Sequence, residues 1–121
     1  IALTVMQSLH AFRPRLVGPV LDGTADEHAR VSIHVFNDPP DAVTLHLLDK
    51  QITFRDELRK VRWHDGSYRH IPQLVTDTED AEVELTLFNC VDMRQAPLSP
   101  VDGRPLRRAP MSEVECLLAN A

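Results

Sequence analysis

The chain has 121 residues, enough for one domain with a single core and too few for two. Its 43% hydrophobic and 26% charged residues exclude a disordered chain. With 13 Lys and Arg against 18 Asp and Glu, the net charge of −5 argues against tight, non-specific nucleic-acid binding, which needs a basic footprint. Aromatics at 5% leave little for a base-stacking platform. No apolar run approaches the roughly 20 residues that span a bilayer, which argues against a membrane partner.

In chain order, residues 1–12 carry apolar side chains at Ala2, Val5, Met6, Leu9 and Phe12, the spacing of one helical face. No capping residue opens this helix, so it reads as the end of a longer one; Pro14 stops it. Arg15–Leu21 predicts a short strand that Gly18-Pro19 confines to an edge or ends. Asp22–Arg30 is polar and turn-like, pivoting on Gly23.

Val31–Phe36 alternates, with Val31, Ile33 and Val35 on one face and Ser32, His34 and Phe36 on the other. Asn37–Lys50 predicts the clearest helix. Asp38 is its N-cap, Pro39 its first residue, and Ala42, Val43, Leu45, Leu47 and Leu48 give a broad apolar face. His46 reads as a packed or boundary residue of that helix. Ile52–Phe54 is a candidate short strand. Leu58–Trp63 and Tyr68–Val75 predict a hairpin around His64-Asp65-Gly66-Ser67.

Glu82–Phe88 is the second alternating strand, with Val83, Leu85 and Leu87 opposite Glu82, Glu84, Thr86 and Phe88. Residues 94–110 hold four of the nine prolines and predict an extended loop. A final helix runs over Met111–Leu118, with Met111, Val114, Leu117 and Leu118 on one face and a capping box at Ser112 and Glu115. The order predicts a single α+β domain over residues 1–121. Its mixed sheet has four to five strands, with helices on one face.

Cys90 and Cys116 form no CxxC pair and read as two reduced core or near-core thiols of a cytoplasmic protein. Asp26, Glu27, His28 and His34 invite a metal reading, but no histidine spacing matches a zinc site, and scattered surface histidines are the commoner outcome. Arg94, Arg104, Arg107 and Arg108 make the late loop basic, an expected internal match for the acidic stretch from Asp77 to Glu84.

If the strands bearing Ser32 and Glu84 are neighbours, Arg30, Ser32, His34, Glu82 and Glu84 share one face. Two carboxylates beside a hydroxyl and an imidazole suit metal or acid–base chemistry. The same face also reads as a solvated sheet surface on which Arg30 pairs with Glu84 or Glu82, and this plainer reading is the favoured one.

The segment Phe12–Phe36, FRPRLVGPVLDGTADEHARVSIHVF, resembles the opening motif of the DNA polymerase β-like nucleotidyltransferase superfamily. There a strand ends in Gly-Ser, the next strand carries Asp-x-Asp, and a later strand gives a third carboxylate. The stretch from Arg94 to Leu118 resembles the C-terminal part of bacterial nucleotidyltransferase-like proteins, so the similarity covers most of the chain.

The resemblance implies that Gly18-Pro19 stands at Gly-Ser, Arg30 and Ser32 at the paired aspartates, and Glu84 at the third carboxylate. Magnesium needs anionic oxygen ligands, and an arginine and a hydroxyl in those places leave one carboxylate. Pro19 supplies neither the serine hydroxyl nor a backbone N–H. The expectation is a nucleotidyltransferase-like domain with a degenerate centre, without metal or cofactor, acting in binding or regulation with a nucleotide or protein partner. Two alternatives are kept: an active enzyme using magnesium on Glu84, Glu82, Asp22 or Asp26, and a non-enzymatic self-association or scaffold domain. On the main expectation the Arg30 guanidinium takes the electrostatic place of the lost metal and neutralises Glu84.

Overall fold

Alternation in two segments sets the sheet. In the computed structural model, which describes residues 2–26, 29–79, 81–100 and 102–120, β2 (Val31–Phe36) and β5 (Glu82–Phe88) lie side by side and parallel. The remaining strands are β1 (Arg15–Val17), β3 (Arg55–Arg62), β4 (Tyr68–Asp77) and β6 (Ala109–Pro110), each paired antiparallel to its neighbours. The sheet has six strands in the order β3-β4-β5-β2-β1-β6. The α+β class and the mixed sheet are as the sequence predicts. The strand number rises to six because residues 109–110, inside the proline-rich stretch, pair with β1.

The β2 and β5 side chains Val31, Ile33, Val35, Val83, Leu85 and Leu87 form the centre of the main core. Met6 and Leu9, Val43 and Leu47 of α3 (Ala42–Asp49), and Val114 of α4 (Met111–Ala119) close it from the helical side. Burying one such side chain contributes about 1.5–3 kcal/mol. α3 sits in the connection between β2 and the β3–β4 hairpin.

Several predicted boundaries move, each for a local reason. The first helix, α1, covers Ala2–Ser8 and yields to a 3-10 turn at His10–Phe12, after which Arg13 takes a left-handed conformation. The strand predicted over Arg15–Leu21 ends at Val17. Gly18 adopts φ 78° and ψ −160°, a region open in practice to glycine, and Pro19 begins the short helix α2 (Pro19–Asp22). The helix predicted over Asn37–Lys50 starts at Ala42, and Asp41 rather than Asp38 holds the N-cap position. The Asp38 carboxylate instead accepts the Cys90 N–H at 3.1 Å. Ile52–Phe54 forms no strand; β3 begins at Arg55.

The hairpin stands, lengthened at both strands, with Gly66 N–H donating to the Trp63 carbonyl at its turn. Pro110 rather than Ser112 occupies the N-cap of α4, and no side-chain capping bond forms there. The apolar faces predicted for α3 and α4 are narrower than expected: Val43, Leu47 and Val114 are buried, whereas Leu45, Leu48, Leu117 and Leu118 are exposed. His46 is half-buried and meets Phe12 edge-on, a boundary residue as expected. Cys90 is half-buried; Cys116 is exposed on α4 rather than near the core.

Candidate functional site: a covered polar face

The second face of the sheet is covered. Its aromatic end packs Phe36, Trp63, Ile71 and Phe88 together. Its polar end carries Ser32, Glu84, His34, Thr86 and Gln73, and the last four are buried. The reading of this face as solvated is therefore overturned at His34 and Glu84, while its other half, the pairing of Arg30 with Glu82 and Glu84, stands. The proline-rich stretch folds back over it as a strap, pinned where Leu98 bridges Arg62 and Pro105. Between strap, sheet and the β1–α2 turn lies a cavity of about 490 Å³, bounded by Gly18, Pro19, Asp22, Pro97, Pro100 and Leu106 over the polar floor.

Strand register fixes that floor. Ser32 lies opposite Glu84, and His34 opposite Thr86, which in turn faces Gln73 on β4. Ser32 donates its hydroxyl to Glu84 Oε1 at 2.5 Å. Arg30, at the foot of β2, donates through Nε to Glu82 at 2.7 Å and through Nη1 to both Glu84 and Glu57 at 3.3 Å. Arg59 of β3 donates to Glu84 Oε1 at 3.2 Å. The Glu84 side chain is 7% exposed, so its charge is held by two guanidiniums and a hydroxyl with little water. Burial acts to lower the Arg30 pKa, but hydrogen bonds to Glu84, Glu57 and Glu82 raise it above its ordinary value.

The structure thus brings Gly18, Pro19, Arg30, Ser32, His34 and Glu84 to one place. Arg30 and Glu84 are in contact, as expected from the sequence. Among the described residues no three His, Cys, Asp or Glu side chains are arranged to hold a metal ion. Glu27 and His28, half of the imagined histidine cluster, lie outside the described residues. Among the described residues no ion pair joins the basic loop to the acidic strand. Glu82 and Glu84 go to Arg30, Arg55 and Arg59, while Arg107 pairs with Glu113 of α4. Asp77 pairs with Arg55.

Sequence reasoning missed Arg59, Gln73 and Arg108. Arg108 crosses the sheet face, stacking over Phe36 at 4.8 Å and Phe88 at 5.1 Å. It donates from Nε to His34 Nδ1 at 3.0 Å and from Nη1 to the Asp92 carbonyl at 2.8 Å. Burial lowers its pKa to about 10, still cationic at neutral pH. The available signal was the aromatic pair: Phe36 and Phe88 share the face of His34 and Glu84, and two phenylalanines on one face mark it as covered.

Burial holds the His34 pKa well below its ordinary value of 6.5, and the positive charges of Arg108 and Arg59 act in the same direction. The unfolded imidazole titrates near 6.5, so below that pH the unfolded chain binds the proton that the folded chain refuses. Stability is therefore complete above pH 6.5 and falls as the pH drops, with a slope approaching about 1.4 kcal/mol per pH unit from this group. Denaturant titrations between pH 7.5 and 5.5 check it. His34→Phe should flatten the curve, and an unchanged slope in a folded variant would refute this assignment.

A scan against protein-family models finds no match, and searches of curated proteins and of solved structures find none either. Among the described residues no helix is long and apolar enough to cross a membrane.

Proposed function

We propose that this chain is a bacterial, cytoplasmic nucleotidyltransferase-type domain whose catalytic centre has been replaced by an internal ion pair, and that it works by binding rather than by transfer. The observation carrying this reading is the Arg30 guanidinium. It sits between Glu57, Glu82 and Glu84, and with Glu84 it lines the covered cavity; the resemblance would put a metal at these carboxylates. A fixed cation there satisfies the carboxylates and competes directly with magnesium. Ser32 spends its hydroxyl on Glu84, and Pro19 offers no N–H to a phosphate. What remains is a cavity with a built polar floor, the form of a small-ligand site.

Thermal melts with a nucleoside triphosphate test the reading. The expected result is stabilisation that is equal in magnesium and in chelator, reaching about 2.7 kcal/mol at a hundredfold excess over Kd, with no label transfer. A shift that requires magnesium would favour the active alternative, for which Asp22, lining the same cavity as Glu84, supplies a second carboxylate. No shift under either condition would refute nucleotide binding. The exposed Leu45, Leu48, Leu117 and Leu118 favour self-association as the remaining reading, and a dimer mass by size exclusion would support it.

A further inference from the structure

The cavity floor holds hydrogen-bonding capacity that the fold itself does not use. His34, Thr86 and Gln73 lie in one row across β2, β5 and β4, each at least nine-tenths buried. Arginine only donates, so the bond from Arg108 Nε to His34 Nδ1 fixes that nitrogen as an acceptor and places the ring proton on Nε2. Gln73 donates through Nε2 to the Thr86 hydroxyl at 2.9 Å, which leaves its Oε1 as an acceptor. No side chain among the described residues takes the His34 Nε2–H or donates to Gln73 Oε1. Arg108 Nη2 is the one fully sealed side-chain nitrogen or oxygen without a partner among them, so the other two open onto the cavity that both residues line.

A free donor and a free acceptor on the floor of one cavity define what fits. The strands of His34 and Gln73 are two spacings apart, roughly 9.5 Å, and the lean of Gln73 onto Thr86 narrows that gap. Overhead, Pro97, Pro100 and Leu106 give an apolar roof. The neutral imidazole brings no charge, and the guanidiniums of Arg30 and Arg59 are already turned to Glu84. A carboxylate in the place of the amide would set an oxygen against the Gln73 Oε1 acceptor, with the Glu84 charge lining the same cavity. We propose that this cavity binds a small, flat, uncharged carboxamide or lactam, its carbonyl accepting from His34 Nε2–H and its N–H donating to Gln73 Oε1. Arg108 is the positioning residue, because it holds His34 in the tautomer that donates.

This inference rests on the binding reading above but not on the triphosphate, so the two fail separately. Benzamide and benzoate share a ring and a shape; only benzamide carries the N–H and lacks the charge. Titrated into the whole chain, benzamide should bind about tenfold or more tightly than benzoate, and 2-pyridone should compete with it. In nitrogen-15 spectra the His34 Nε2–H signal should shift on adding benzamide and stay unmoved by benzoate. Gln73→Met, which keeps volume and removes the acceptor, should cost about tenfold in benzamide affinity; a folded variant that binds as before would overturn the proposal. So would benzoate binding as tightly as benzamide, or a His34 signal that no amide moves, and these two readouts use the unaltered chain. Benzamide binding without any triphosphate effect would remove the nucleotide reading and leave this one standing.

Discussion

Arg30→Ala is expected to lower stability by about 2 kcal/mol, a fall in melting temperature of about 8 °C for a domain of this size. Removing one partner of a buried ion pair typically costs about 3–5 kcal/mol. Two features reduce it here. Arg59 still holds Glu84 Oε1, and the Arg30 side chain is 35% exposed, so water screens part of its field. What remains is large because one guanidinium serves three carboxylates. Glu57, Glu82 and Glu84 belong to β3 and β5, and all of them lose that contact together.

The same variant tests whether Arg30 stands in for a metal. Millimolar magnesium or calcium should return part of the lost stability to Arg30→Ala and do almost nothing for the unaltered chain, because only the variant lacks the cation that Glu57, Glu82 and Glu84 share. Glu84→Gln added to Arg30→Ala should also recover much of the loss, since the buried charge is then gone. Both outcomes are read from melting curves. A loss below about 0.5 kcal/mol, the level of an ordinary exposed pair, would show that the cluster is only surface charge.

The parts of this site that could be read from sequence are those that depend on a local period. Alternation in Val31–Phe36 and Glu82–Phe88 separates core side chains from Ser32, His34, Glu84 and Thr86, and strand pairing then places Ser32 opposite Glu84. Arg30 is adjacent to that pattern, so its contact with Glu84 could be anticipated. Arg59 and Arg108 could not. Arg59 reaches Glu84 from β3, across β4, and Arg108 reaches His34 from a loop 74 residues later. No periodicity links such positions. The element ends failed for a related reason: Gly18 turns the chain after three strand residues, and the Asp38 carboxylate goes to a distant backbone N–H instead of capping the next helix. Tertiary contacts decided what propensity left undetermined.

Phe88→Ala should be the most damaging single truncation on the covered face, at about 4 kcal/mol and about 15 °C. Phe88 is 1% exposed at the end of β5. Its ring stacks with Phe36 at a centroid distance of 5.5 Å, meets His34 at 4.8 Å and Trp63 at 6.5 Å, and lies under Arg108. Truncation forfeits the burial and leaves a void that this rigid strand position cannot close; the aromatic contacts add to the loss. The defect should also spread in one direction. Arg108 keeps Phe36 beneath it but loses its second ring, so the strap it anchors should open more often. Backbone amides of Leu98, Ser99 and Leu106, which are bonded within the strap or to β3, should exchange faster than the global loss alone requires. Leu58→Ala, at an exposed position on the outer strand, should leave both stability and strap exchange unchanged. Equal slowing or speeding of exchange across strap and core in Phe88→Ala would show that the strap is not held through Arg108.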